Sequence, residues 1–430
     1  MATALILPGP PGLLSPAVAP AGASATGAAE PEKRKLFPLR KRTGTAAFHL
    51  STSAVGFGHE DLEKLTEKQA VMFMAEAQWG STKEMPCAHC GTIDRHYWAA
   101  KELRWKCKCC GKRFSVTSNT VFADHKLPLT KILKIAFSWV NGAAGVPALK
   151  LRRDWDVAYA TVFTLAHKLR EGITRGFDKG PLAGVHEMDG MDVNGRRYKE
   201  KRNKPQGSRS GGAPKIPAEL LKPADGSELI GPPKPPKFGK TAKQPLDRRL
   251  LLVMCQRGVS EGKGSSATRV AIALSESTKT VTAMAKQHAS AESIIMSDED
   301  PAYASFKGLF ADHRTINHSV GYSDGKGTSN NQAESFNARM RRSVEGTYLA
   351  ISNKYLKDYA SEIAWRTDTR KMSTGDKLKH VLRHALSVGL SLWWRGYTHG
   401  RHREEELLIE GEQPALGRGR QPGWKAKVPR

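Results

Sequence analysis

A chain of 430 residues, 39% of them hydrophobic, has material for two or three domains with cores of their own. Its 68 Lys and Arg outnumber its 42 Asp and Glu, for a formal charge of +26 that attracts polyanions and makes nucleic acid the leading partner. No apolar run reaches the roughly eighteen residues of a membrane-crossing helix, and the basic residues are spread along the chain instead of massed beside one, so no membrane partner is expected.

Residues 1–50 open with "MATALILPGPPGLLSPAVAPAGASATGAAE" and end in the basic "EKRKLFPLRKR". Prolines interrupt the apolar stretch and no basic residue precedes it, so it reads as a disordered basic arm and not as a signal peptide, and the protein is expected to be cytoplasmic. Residues 51–80 form a helical segment. Apolar residues recur at near-helical spacing from Asp61 to Trp79, and Gly80 is placed to stop the helix.

Residues 81–122 hold five of the six cysteines. Cys87 and Cys90, then Cys107 and Cys110, give two C-x2-C pairs, the spacing at which two tight turns bring four thiolates around one Zn2+. Each pair ends in a glycine, Gly91 or Gly111, suited to a turn that points backbone amides at sulfur. A zinc ribbon follows, with Cys109 a doubtful ligand and His89 or His96 as possible substitutes. Cations alternate with aromatics through "RHYWAAKELRWKCKCCGKRF", so Arg104, Lys106, Lys112 and Arg113 are candidate DNA contacts, although a purely structural ribbon is also open.

Residues 123–178 read as helices: Leu127 to Val140, a short helix, a turn at Asp154 to Asp156, and a longer helix from Val157 to Glu171 carrying Lys168 and Arg170. This is the pattern of a helix-turn-helix-like DNA-binding region, with Lys168 and Arg170 facing phosphate; three helices that merely pack together fit the same pattern. Residues 179–372 change to β-rich runs, "VHEMDGMDV", "RRLLLVMCQRG", "ATRVAIALSES" and "SIIMSD", and return to helix through "NNQAESFNARMRRSVEG" and "KYLKDYASEIAWRTDTR". Cys255 falls in an apolar run and reads as core. The Lys-, Pro- and Gly-rich insertion at about 199–247 cannot bury a core and is expected to be a mobile basic loop. Residues 373–430 complete the chain as a C-terminal helix and a charged tail.

Metal-assisted phosphoryl transfer needs carboxylates that converge from different elements. Asp189 lies within one strand-like run, Asp298 ends another, and Glu334 lies on a helix thirty-six positions further on. Joined in this order behind a cysteine ribbon and a helical region, they resemble the zinc-ribbon insertion-sequence transposases of the ISXO type. The resemblance is carried by the ribbon, "VHEMDGMDVNG", "SDEDPAY", "INHSVGY", "NNQAESF" and "YASEIAWR", from about Trp79 to Arg370.

The resemblance implies an α/β fold: an RNase H-like (retroviral-integrase-like) DDE catalytic core preceded by the ribbon and the helix-turn-helix-like region. It implies a bacterial, nucleoid-associated DNA transposase that uses Mg2+ (or Mn2+) to cut transposon ends and join them to target DNA, as a homo-oligomer on DNA. Asp189 and Asp298 match the two acidic positions. The third is Glu334 or Asn331, with Glu334 favoured because a carboxylate binds Mg2+ more strongly than an amide. Arg341 matches a position where such enzymes hold a DNA phosphate, and Glu362 matches an acidic residue that could equally pair with Arg366. Two departures stand out: Gly190 occupies the place where the family often carries a second acid, and the insertion is long. A non-catalytic zinc-ribbon regulator, or a nuclease on the same fold, is the alternative.

Overall fold

The computed structural model describes residues 48, 51–176, 180–194, 248–258, 264–316 and 327–409, all within the unit Ala47–Arg430. The arm expected at 1–50 apart from Phe48 and the insertion at 199–247 lie outside the described residues. So do His318 and the tail beyond residue 409.

The first helical segment is two helices, α1 (His59–Glu63) and α2 (Glu67–Trp79), where the sequence spacing predicts one. The break is a capping box. Thr66 Oγ1 accepts from the Gln69 amide while Gln69 Oε1 accepts from the Thr66 amide, which satisfies the orphan donors of a helix start. Gly80 ends α2 at φ 69°.

The cysteine segment forms short antiparallel strands, β1 (Met85–Pro86) with β2 (Ile93–Asp94), then β3 (Tyr97–Ala99), β4 (Arg104–Lys106) and β5 (Arg113–Phe114) in one three-stranded sheet. Helices α3 (Leu129–Asn141) and α4 (Ala148–Trp155) each start directly after a proline, which fits the first turn because its missing amide would be unbonded there. Asp156, at φ 46°, turns the chain into α5 (Tyr159–Gly176).

Beyond the helices comes a five-stranded mixed sheet in the order β10-β9-β6-β7-β8. Its strands are β6 (Val185–Val193), β7 (Arg249–Arg257), β8 (Ser265–Ala273), β9 (Ile294–Asp298) and β10 (Asp312–Ile316). β6, β7 and β8 are antiparallel neighbours, whereas β9 and β10 run parallel to β6. The period-two rule of a strand divides the core. Met188, Leu250, Leu252 and Met254 face α6 (Thr278–His288) on one side, and Met191, Val193, Leu251, Val253 and Cys255 face α7 (Asn331–Arg342) and α8 (Leu356–Asp368) on the other.

The last helix, α9 (Thr374–Ser387), packs among the first ones. Leu378, Val381, Leu382, Ala385 and Leu386 share a core with α2, α3, α5, Trp105 and Phe114. The crossing with α5 is close: a Cβ on Gly172 would lie 2.6 Å from the Ala385 Cα. Residues 401–409, expected as tail, are also packed. The Arg403 guanidinium bonds Asp358 at 2.7 Å, Arg249 holds Glu406 by two bonds of 2.6 and 2.8 Å, and the Ile409 amide donates to Ile272 O along the edge strand β8.

Candidate active site and metal centre

The pairing of β6 with β9 stops at Glu187 and Met296. Asp189 and Asp298 each lie two residues beyond that last pair, so the alternation of each strand turns both toward the face covered by α7, at a fork where the two strands part. Glu334 sits in the first turn of α7. The sheet edge thus gathers the three acidic positions from residues 189, 298 and 334.

The helix is fastened to β6 by side chains that the sequence reading did not single out. Glu187 accepts from the Gln332 amide at 2.5 Å and from Arg257 Nε at 2.6 Å, and the Asn330 side chain donates to Met188 O at 3.2 Å. One turn beyond Glu334, Asn337 donates to Asp189 Oδ2 at 2.8 Å, and the Gly190 amide donates to Asp189 Oδ1 at 2.9 Å. Asn331, the amide weighed against Glu334, is exposed at the first helical position, while Asn337 is buried against the strand. The signal was present in "NQAESFN", where Asn331, Glu334 and Asn337 follow at intervals of three.

Burial pushes the Asp189 carboxyl up to about 6, and the negative charges of Asp298 and Glu334 act in the same direction against the bonds from Gly190 and Asn337. A carboxyl raised by burial beside two further carboxylates calls for a cation, so the donor set fits a divalent metal bound by oxygen. His313 donates to or accepts from Ser297 beside Asp298 at 2.9 Å and packs on Phe306, which makes it a support of β9.

In the cysteine segment the four expected residues come together. The sulfurs of Cys87, Cys90, Cys107 and Cys110 all lie within 4.8 Å of one another, with Cys87 to Cys110 at 3.8 Å and Cys90 to Cys107 at 3.6 Å. A tetrahedral ion with metal–sulfur bonds of about 2.3 Å needs sulfurs about 3.8 Å apart, so this group could hold zinc. Gly91 and Gly111 take φ of 75° and 70°, and their amides donate to Cys87 O and Cys107 O in two matching turns. The His89 and Cys110 amides point at the Cys87 and Cys107 sulfurs, both at 3.4 Å. Cys109 is exposed and outside the group, His89 and His96 bond backbone carbonyls, and Cys255 is buried in β7.

The basic residues divide. Arg104 and Lys106 are exposed on either side of buried Trp105, Lys112 and Arg113 are exposed with Arg113 on Glu102 at 2.6 Å, and Arg341 is exposed on α7. Lys168 is half-buried and lines a cavity of about 740 Å3 with Lys126, Arg395 and Arg401. Arg170 corrects the expectation: it is 2% exposed, with Nε on Glu362 at 2.7 Å, and cannot face phosphate from the core. The apolar period of α5 carries residue 170 inward. Glu362 also accepts from Arg366 at 2.8 Å and from Tyr348 at 2.9 Å. The Arg366 pairing considered for Glu362 is therefore present, in a network that also takes in Arg170.

No curated protein and no solved structure matched the chain. A family model described as ISXO2-like transposase domain matched residues 224–368. The match takes in Asp298, Glu334, Arg341 and Glu362, and leaves the cysteine group and Asp189 ahead of it. Among the described residues no helix is long and apolar enough to cross a membrane. The acidic sheet edge and the helix that closes it fall within or beside that segment, and over residues 224–368 the chain is accordingly similar to the ISXO2-like transposase domain.

Proposed function

We propose that the protein is a DNA transposase whose Asp189, Asp298 and Glu334 hold divalent ions, Mg2+ or Mn2+, for cleavage at transposon ends and strand transfer. The observation that carries this reading is the convergence of three acids, far apart in sequence, at one fork of the sheet, two of them inside the matched transposase segment. The strand order, three antiparallel strands followed by two parallel to the first, supports an RNase H-like core.

In cleavage, a water oxygen forms a bond to phosphorus while the bond to the transposon 3′ oxygen breaks and that oxygen leaves as a hydroxyl. In transfer, the same 3′ hydroxyl bonds to a target phosphorus and releases a target 3′ hydroxyl. Bound divalent ions supply nucleophile activation and charge stabilisation for both displacements. The chain's own residues set the geometry: Asn337 orients Asp189, Glu187 and Asn330 fix the start of α7 and with it Glu334, and Ser297 with His313 steadies the end of β9. Zinc in the Cys87, Cys90, Cys107, Cys110 group would hold the two turns of the ribbon together, beside the core that Trp105 and Phe114 share with the helices. Arg104, Lys106, Lys112 and Arg113 on the ribbon, Lys168 in its cavity and Arg341 on α7 are the proposed DNA contacts, and the active form is a homo-oligomer on DNA.

The test is Mg2+-dependent cleavage of duplexes made from the DNA flanking the gene. Glu334→Gln should lower cleavage by on the order of 10³-fold with binding retained, and exposed Asn331→Ala by roughly tenfold or less. An active Glu334→Gln beside an inactive Asn331→Ala would reverse the assignment, and wild-type activity in Asp298→Asn would remove the site altogether.

A further inference from the structure

Gly190 follows Asp189 on β6 and, by alternation, presents the opposite face of the sheet, where α6 packs. The space a side chain would take there is filled. A Cβ on Gly190 would lie 2.7 Å from Glu276 Oε1 and 3.1 Å from Glu276 Cδ and Oε2. Glu276 stands just before α6, and its backbone is clamped on both sides: Ser277 Oγ accepts from the Thr280 amide at 3.3 Å, and Thr280 Oγ1 donates to Ser275 O at 3.0 Å. From inside the core, Tyr303, with no exposed surface, donates its hydroxyl to Glu276 Oε1 at 2.7 Å. A fixed backbone and a buried phenol aim this carboxylate at one place.

That place borders the acidic fork. Desolvation holds the Glu276 carboxyl above its ordinary range, against the Tyr303 hydrogen bond, and the charges of Asp298, Asp300 and Asp189 add to the rise. We propose that Glu276 is a fourth carboxylate of the divalent-metal site, delivered across the sheet edge into the space Gly190 leaves open. The proposal rests on the reading of Asp189, Asp298 and Glu334 as metal ligands. Glycine at 190 is then a requirement of the site, because any side chain there displaces the Glu276 carboxylate.

Mn2+ binding to the DNA-free full-length protein, measured by titration calorimetry, tests this without any assay of cleavage. Glu276→Gln keeps an oxygen for Tyr303 and loses the charge; it should weaken Mn2+ binding by at least the tenfold or so that loss of a supporting group costs a metal site. The swap Gly190→Asp with Glu276→Ala returns a carboxylate to the fork from the strand and should recover most of the lost affinity, which a merely structural Glu276 would not allow. Melting curves of the metal-free variants confirm that each is folded. If Asp298→Asn loses Mn2+ while Glu276→Gln binds it as wild type does, this inference is wrong and the three-acid site stands. If Asp298→Asn binds Mn2+ unchanged, the site reading fails and this inference falls with it.

Discussion

The side-chain amide of Asn337 on α7 donates to Asp189 Oδ2 on β6 at 2.8 Å, across 148 residues of chain. It ties the helix that carries Glu334 to the first acid itself, and it favours the charged form of Asp189 against burial and two neighbouring carboxylates. Asn337→Asp exchanges a donor for a like charge. The acid limb of the pH–rate profile of metal-dependent cleavage should move to higher pH, and Asn337→Ala should lower the rate by roughly tenfold through lost orientation. An unmoved profile in Asn337→Asp would separate this amide from the chemistry.

The cysteine group should bind one zinc per chain. Metal analysis of purified protein against a Cys107→Ser, Cys110→Ser variant should show the loss of that zinc, with a lower melting temperature because Trp105 and Phe114 of the ribbon are part of the helical core. Equal zinc in both proteins would place the metal elsewhere.

Buried Glu362 on α8 pairs with Arg170 of α5 and with Arg366 of its own helix, both buried, and accepts from half-buried Tyr348. Although burial alone would raise its carboxyl, Arg170 and then Arg366 hold it below the ordinary range. Glu362→Gln leaves two buried guanidinium groups without their counter-charge and should cost about 3 to 5 kcal/mol in denaturant unfolding. The salt dependence of DNA binding should be unchanged in this variant. Arg104→Ala with Lys106→Ala should behave in the opposite way, lowering the slope of log affinity against log salt by about 1.8 with stability intact.

Asp368 is half-buried and accepts from the Thr268 amide and hydroxyl at 2.8 and 2.7 Å, yet desolvation pushes its carboxyl up to about 7. An acid raised on folding adds stability below its unfolded value and loses it as pH climbs through the folded one, here between about 4 and 7. The near-isosteric Asp368→Asn should therefore melt above wild type at pH 8 and converge with it toward pH 4. A constant difference at both pH values would show that Asp368 does not titrate across that window.

What could be read from the sequence was what repeats at short range. The two C-x2-C pairs picked out the four cysteines whose sulfurs come together, and strand alternation with the break after "SIIMSD" located Asp189 and Asp298. Arg170 was misread because a cation on an amphipathic helix looks the same whether its partner is phosphate or a glutamate 192 residues later. Glu276 escaped notice for the same reason: it belongs to a loop, and only the folded sheet brings it to Gly190. The packing of α9 and of residues 401–409 had no local signature at all.

The Gln78 side chain donates to Leu386 O at 2.9 Å, a contact spanning 308 residues, and stands for the whole embrace of α9 by the N-terminal helices. The region translated first is therefore completed last. A nascent chain must hold the cysteine segment and its helices with an open apolar flank until the entire five-stranded sheet has left the ribosome, since Leu378, Val381 and Leu382 arrive only then. A polypeptide that stops short of α9 lacks one wall of the core that packs its cysteine segment and first helices, so that core closes only in chains that already contain Asp189, Asp298 and Glu334.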